Sequence, residues 1–434
     1  MSENPIELDG ADSPSPNYEG SVLTVLNLSL VTFLVIIGLS MVAPILPTYA
    51  ESFQVSYTLV GFVVSSFAVM RMLLDLPAGL FSRRFDKKKI MMSGLVLIST
   101  SSVLAGFALN YSTLVIARMI EGAGSALYVT TATVFLAQIS GEEKRGQWMS
   151  LYMGMLLLGA IFGPTFGGII ADVYDIRAPF FAYALITGIS LIPTFVLPKL
   201  PNSGNGSSLS RNQILHDMKE VLSTPSFLLV TFAVFTTFFL RTGVRTTLVP
   251  LYAANNLGLD SGAIGLILTI GGVTTALTIT PMGSVSDRIG RKIPLALCLI
   301  LTAGVTLLIP LSTDLFTLSF AMAVYGAVIG FSGPSAAYVT DVSPQDKLEI
   351  SMGLYRMISD FGFVVGPLLL GLLADITATP VVGASHSGLI GLVPFVAASI
   401  ILIVAFFVLL KADDPAKDRN QLKNREVQIS DARR

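Results

Sequence analysis

Apolar residues along this chain come in runs, and the runs are too long for strands or for ordinary amphipathic helices. A helix needs about 20 mainly apolar residues to cross the hydrocarbon of a bilayer. Twelve stretches of that kind can be marked, at 22–48, 57–81, 89–109, 112–138, 148–171, 179–198, 226–253, 262–285, 293–311, 315–340, 350–374 and 387–411. Their connections are short, with one exception. Residues 199–225 are polar, rich in Gly and Ser at first, and predict a surface helix over Gln213–Leu222. The pattern predicts an all-α integral membrane protein with twelve transmembrane helices, divided six and six. Its parts are an arm at 1–21, a first half at 22–198, the central loop at 199–225, a second half at 226–411 and a tail at 412–434.

Composition sharpens the class. Of 434 residues, 53% are apolar and 13% are charged, against roughly 25% charged in soluble domains. The formal net charge of -1 leaves no bulk field for a nucleic acid partner. The single cysteine, Cys298, excludes an internal disulfide, and with only two histidines it excludes a cysteine/histidine zinc cluster. No metal and no cofactor is expected. Of the 27 lysines and arginines, 21 fall in alternate connections and the tail, among them Arg83, Arg84, Lys87–Lys89, Lys144, Arg145, Arg288, Arg291, Lys292 and Lys347. Arg177 alone falls on the other side. That asymmetry predicts a multi-pass protein of the cell membrane with both termini cytoplasmic. Met1–Gly20 is acidic and lacks Lys and Arg, so it reads as a disordered arm and not as a signal peptide.

The two halves repeat each other at an offset of about 203. Pro47, Tyr49 and Ala50 fall on Pro250, Tyr252 and Ala253. Pro77 and Gly79 fall on Pro281 and Gly283. Lys144, Leu151, Tyr152, Gly159, Gly163, Pro164 and Asp172 fall on Lys347, Leu354, Tyr355, Gly362, Gly366, Pro367 and Asp375. Two parallel six-helix bundles with a site between them near the midplane describe an alternating-access carrier.

Several motifs carry a family resemblance. Gly283-Ser-Val-Ser-Asp287-Arg288-Ile-Gly290-Arg291-Lys292 matches the loop signature of the major facilitator superfamily. Its first-half counterpart, Gly79 to Lys88, is degenerate, with Arg83 where the family has Asp and Asp86 where it has Gly. Arg118-x-x-Glu121-Gly122-x-Gly124-x-Ala126 is similar to the family's helix-4 motif, with Glu in place of Gln. Gly159-x3-Gly163-Pro164-x2-Gly167-Gly168 resembles the helix-5 antiporter motif, and Gly38-x5-Pro44-x2-Pro47 the helix-1 motif of twelve-span drug/proton antiporters. The resemblance covers residues 22–411. It implies the major facilitator fold and a monomeric carrier that takes a small-molecule substrate and protons. In this family the basic loop, here Gly283, Asp287, Arg288 and Arg291 with the degenerate Gly79 copy, is thought to latch helix ends. The glycine and proline devices at Gly163, Pro164, Gly366 and Pro367 let helices approach closely and flex; they are expected to pack tightly and to serve gating. Gly283 is expected to make a tight turn.

Eight charged residues lie within the spans: Arg71, Asp75, Arg118, Glu121, Arg241, Arg245, Arg356 and Asp360. Each costs at least about 2.5 kcal/mol at mid-bilayer, so each is paired or functional by default. Arg71 with Asp75, Arg356 with Asp360 and Arg118 with Glu121 can pair locally on one helix face. Asp75 and Arg356 lie toward the cytoplasmic ends of helices 2 and 11, which meet across the halves in this superfamily. They are expected to form an inter-half gate of the outward-facing state, with Arg71 beside them. Glu121 and Asp360 are the expected proton sites, and Arg118 the modulating partner, because an ionised carboxylate in hydrocarbon is costly and a protonated one cheap. Arg241 and Arg245 share a face, repel each other and have no acid on their own helix. Arg241 lies nine residues, about 14 Å, from Pro250. Two readings stay open for the pair: Asp360 or Glu121 reaches across, or a substrate supplies the anion. Tyr252 and Tyr355 are candidate substrate contacts.

No Gly-rich phosphate loop occurs, so ATP-driven transport is not expected, and no nucleophile elbow or triad supports an enzyme. His216 and His386 read as surface residues. The function expected is a secondary active transporter, a proton-coupled exporter of drugs or metabolites. The alternatives are an organic-anion or metabolite carrier of the same fold and a non-transporting membrane sensor.

Overall fold

Each predicted run folds into helix because inside hydrocarbon every backbone N–H and C=O must be paired within the segment. The computed structural model describes residues 22–140, 145–200, 211–379 and 388–415. The arm, Lys144, His386 and most of the tail lie outside the described residues. Among the described residues, eleven helices are long and apolar enough to cross a membrane, and a twelfth is shorter. In chain order they are α1 (Val22–Val42), α2 (Tyr57–Arg84), α3 (Lys87–Gly106), α4 (Tyr111–Ile139), α5 (Arg145–Val173) and α6 (Ala178–Val196). Then come α7 (Pro225–Asn255), α8 (Ser261–Ile289), α9 (Lys292–Leu311), α10 (Leu315–Val342), α11 (Leu348–Thr377) and α12 (Val393–Leu409). The described residues contain no strand, only an isolated antiparallel bridge between Thr379 and Leu389.

Polar residues just outside the apolar runs start the helices. Ser56, Asp86, Asn110 and Asp260 accept from backbone N–H groups of the first turns of α2, α3, α4 and α8, supplying partners for donors that a helix start leaves free. Asp314 does the same for α10 in a capping box, and the N–H of Thr317 holds its carboxyl below the ordinary carboxylate range.

Several expected spans are broken where the backbone chemistry requires it. α1 stops at Val42 before a turn holding Pro44, and a separate short helix, Leu46–Glu51, follows. α12 starts six residues later than the apolar run, because Leu389 is engaged in the bridge to Thr379. α10 is interrupted by a tight turn at Gly330–Ser332 ahead of Pro334. The middle of α7, Arg241–Leu248, is wound as a π-helix, a widened form that concentrates at functional sites. In the central loop an amphipathic helix spans Arg211–Leu222, and Lys347 ties it to the start of α11 through Glu220 and, at 3.8 Å, Asp217.

Within the first half α1 packs on α5 and α6, and α4 packs on α2 and α3. Within the second half α7 packs on α11, α8 on α10, and α9 on α12. The halves meet chiefly along α2 with α11 and α5 with α8, which are equivalent pairs under the repeat.

A candidate substrate pathway between the halves

One end of the bundle carries Lys87–Lys89, Arg291, Lys292 and Lys347; it is called the basic end here. The opposite, far end is closed by contacts between the halves. Asp375, at the end of α11, accepts from the backbone N–H of Tyr57 at 2.6 Å, the N–H of Thr58 at 2.8 Å and the Thr58 hydroxyl at 2.5 Å. Asp172, at the end of α5, accepts from the N–H groups of Ser261 at 3.0 Å and Gly262 at 2.7 Å. Glu51 is buried, and the Asn255 amide nitrogen lies 3.0 Å from each of its carboxylate oxygens and 3.0 Å from the Tyr57 hydroxyl. That hydroxyl donates in turn to the carbonyl of Gly388.

Below this layer the helices cross in contact. A Cβ at Gly61 would stand 2.2 Å from the Pro367 carbonyl oxygen, and one at Gly265 would stand 2.3 Å from that of Pro164. Gly371 against Tyr57 and Gly168 against Ser261 are equally tight. The Ser65 hydroxyl donates to the Val364 carbonyl at 2.7 Å, and Thr269 to that of Ile161 at 2.9 Å. Gly163 and Gly366 instead face their own halves, against Ser40 of α1 and Phe239 of α7. So the tight packing expected of the Gly-Pro device is present, and its two residues divide the work: glycine faces within the half and proline faces across. At the basic end the corresponding positions are open. Among the described residues, Gly146, Gly154, Gly283 and Gly353 have nothing within 4 Å of an added Cβ, and Gly79 meets only Thr130 of its own half.

Between the two ends lie the eight charged residues. Arg118 Nη1 is 2.5 Å from Glu121 Oε2, both side chains are buried, and the guanidinium sits 4.8 Å from the Phe67 ring centre. The second oxygen, Glu121 Oε1, is buried without a hydrogen-bond partner among the described residues, as is the hydroxyl of Tyr183. Asp75 is shared: Arg71 Nε lies 3.7 Å away, Arg356 Nε of the other half 3.8 Å away, and the Thr130 hydroxyl donates at 2.8 Å. The inter-half pair expected of Asp75 and Arg356 is therefore formed, but in a chain whose far end is closed. It is not confined to the state with the basic end shut, because the long Arg356 side chain, 48% exposed, spans the gap.

The local pairing open to Arg356 and Asp360 is not made; Arg356 turns to Asp75 as expected, and Asp360 is left 6% exposed with no cation within 4.0 Å among the described residues. Arg241 and Arg245 gain no acid either, so neither Asp360 nor Glu121 reaches across. Arg245 donates to the Leu268 carbonyl at 3.0 Å, and Arg241 is exposed between the halves. Tyr252 is displaced from the list of substrate contacts. Its hydroxyl lies 3.0 and 2.9 Å from the carbonyl oxygens of Pro310 and Ser312, and its ring packs edge-on to Phe395, all at the far end of the second half. Tyr355 is half-buried one residue before Arg356.

The basic loop ties helix ends together within the second half. Arg291 contacts Asp287 at 3.3 Å and Asp341 of α10 at 2.5 Å, while the backbone N–H groups of Arg291 and Lys292 donate to Asp414. Gly283 does not make the turn expected of it; α8 runs through it, and the chain turns at Gly290, whose φ of 98° only glycine adopts readily. The side chains of Arg83 and Arg84 lie outside the described residues, and Arg288 is not without an interaction partner.

The far-end carboxylates were missed by sequence reasoning. Asp172 and Asp375 stood out only as a repeat pair, and a carboxylate at a helix end carries no local mark of which N-terminus it will meet.

Two repeated six-helix halves, closed at one end and open at the other around a layer of charged side chains, define a membrane transporter of the alternating-access kind. The chain belongs to the Major Facilitator Superfamily, whose pattern matches residues 28–252 and again 230–433. It is similar to an uncharacterized MFS-type transporter of Methanocaldococcus jannaschii, with 25% identity over 80% of this chain and 89% of that one. It is also similar to Multidrug resistance protein 2 of Bacillus subtilis, with 24% identity over 79% of this chain and 87% of that one. In fold it matches a bacterial homolog of the human lysosomal transporter Spinster, crystallised inward-facing and unoccupied, with a TM-score of 0.75 and 16% identity over 94% of this chain and 98% of that one.

Proposed function

We propose that this transporter exports a small organic molecule across the cell membrane in exchange for protons. Its basic end and both termini are cytoplasmic, and it works as a monomer. The observation that carries the reading is Glu121. One of its oxygens is held by Arg118, and the other is buried with no donor. A buried acceptor without a partner is costly, and a proton is the smallest group that removes the cost. Asp360, nearly buried and without a cation in contact, is the second proton site. Arg118 modulates the first, since moving its guanidinium away changes the affinity of Glu121 for a proton. Multidrug resistance protein 2 of Bacillus subtilis supports export of drug-like compounds as the direction of transport.

The rest of the machinery is assigned on the same footing. Pro164 and Pro367 are the far-end crossings, and Gly163 and Gly366 seat them by packing each within its own half. Asp75 with Arg71 and Arg356 is the inter-half contact nearest the basic end, and Asp287, Arg288 and Arg291 brace the ends of α8 and α10.

The test uses proteoliposomes with an internal pH dye and a panel of labelled lipophilic compounds. Wild type is expected to move protons against at least one of them, and Glu121→Gln and Asp360→Asn to lose that coupling. If both variants move protons at the wild-type ratio, the proton assignment is wrong.

A further inference from the structure

Three of the five intramembrane arginines have an acid at hand, and two have none. Arg118 holds Glu121, while Arg71 and Arg356 share Asp75. Arg241 and Arg245 have no carboxylate within 4.0 Å among the described residues. Arg245 spends one donor on the Leu268 carbonyl and lies against Gly272, 3.4 Å from a Cβ built there. A guanidinium has five donors, so most of Arg245 and all of Arg241 is uncommitted. Both arginines sit on the π-wound turn at Arg241–Leu248. On α10, Tyr325 is 1% exposed, its hydroxyl has no partner among the described residues, and it interacts electrostatically with both arginines. Arg71 of the other half also lies within electrostatic range of Arg241.

This layer carries four arginines, Arg71, Arg241, Arg245 and Arg356, against Asp75 and Asp360. Arginine keeps its charge at any accessible pH, so the excess cannot be titrated away. While the basic end is open, water can solvate Arg241. When the halves close around a substrate that water leaves, and two like charges remain in a poorly polarisable space. A cationic substrate would add to the repulsion; an anion would remove it.

We propose that Arg241, Arg245 and Tyr325 form the binding site for an organic anion, a carboxylate or phosphate ester. Its oxygens take the free N–H groups of the two guanidinium forks and the orphaned tyrosine hydroxyl. This deepens the transporter reading and rests on it. It also departs from what a likeness to drug exporters alone would suggest, since the site rejects cations.

The probes are 2-naphthoate, 2-naphthyl phosphate and 2-naphthylmethylamine, which share one ring system and differ in charge. They are titrated against the purified full chain, with thermal stabilisation as readout and chloride, which is not an organic anion, as the only background anion. At least one of the two anions is expected to stabilise the protein saturably, and the amine not at all. Arg241→Gln and Arg245→Gln are each expected to weaken that binding by about 10-fold or more, and Tyr325→Phe by less. Arg245→Lys, which keeps the charge and loses the fork, should fall between; Arg177→Gln at the far-end surface should change nothing. Equal binding of amine and anions, binding unaffected by both Gln variants, or no saturable effect of either anion overturns the proposal. Counterflow of the same probes separates it from the transporter reading. An amine carried with proton movement while the anions are not bound sinks the anion site alone. Anions that bind but are never carried overturn the assignment of this site to the transported substrate and leave the transporter reading in place.

Discussion

Asp172 and Asp375 occupy equivalent positions in the two halves, and each caps a helix of the other half. Asp172 closes the first turn of α8 and Asp375 the first turn of α2. A carboxylate there meets free N–H groups and the positive end of a helix dipole together. When the far end opens, α2 leaves α11 and α8 leaves α5, so both caps must break. Asp172→Ala and Asp375→Ala should each remove about 1 kcal/mol from the far-end-closed state. The closed-to-open ratio then falls about 5-fold per variant. Spin labels on the far ends of α2 and α11 would report a longer-distance population in both variants; an unchanged distance distribution in the double variant would show that the caps do not hold this end shut.

The glycine crossings make a sharper steric prediction. Gly61→Val and Gly265→Val put methyl groups where carbonyl oxygens of Pro367 and Pro164 already stand, and backbone on both sides cannot yield by that much. Both variants should be driven out of the far-end-closed state, as read by cysteine accessibility in the cavity from either side of the membrane. Gly154→Val, in open space on α5, is the matched control and should leave accessibility as in wild type.

Asp75 serves two arginines, so its loss and the loss of either partner are not equivalent. Asp75→Asn leaves Arg71 and Arg356 both unbalanced and should abolish most transport. Arg356→Gln leaves Arg71 still beside the acid and should cost less, within the roughly 1 kcal/mol of a partly exposed pair. Exchanging charges in Asp75→Arg with Arg356→Asp should restore part of the transport lost in the single variants. No rescue in folded, inserted protein would remove the pair from the gating contacts.

The Arg118–Glu121 pair separates stability from coupling. Glu121→Leu strands a buried guanidinium and should cost about 3–5 kcal/mol, whereas Arg118→Met with Glu121→Leu should recover most of that loss. The double variant is then a stable transporter without substrate-driven proton movement. Thermal unfolding in one detergent and the pH-dye assay, run on the same three proteins, check both halves of the expectation. Recovery of proton movement in the double variant would take Glu121 out of the coupling.

The residues differ in how much of their role could be read along the chain. The existence and order of the helices, the repeat and the Arg118–Glu121 pair follow from the sequence, because hydropathy over about 20 residues and an i,i+3 spacing are local properties of one helix. Helix breaks were less legible. The π-winding at Arg241–Leu248 and the late start of α12 after the Thr379–Leu389 bridge depend on what packs against those segments. The Asp75–Arg356 contact was anticipated through the family resemblance, but tertiary structure alone decided the rest of how the charges divide: Asp360 to no arginine, the far-end carboxylates to N-termini of the opposite half, and Arg241 with Arg245 to no acid among the described residues. Each of these depends on the rigid-body placement of one six-helix bundle against the other. That placement is set by close backbone contacts at Gly61, Gly168, Gly265 and Gly371, a few ångströms of geometry summed over two bundles that no local pattern along the chain encodes.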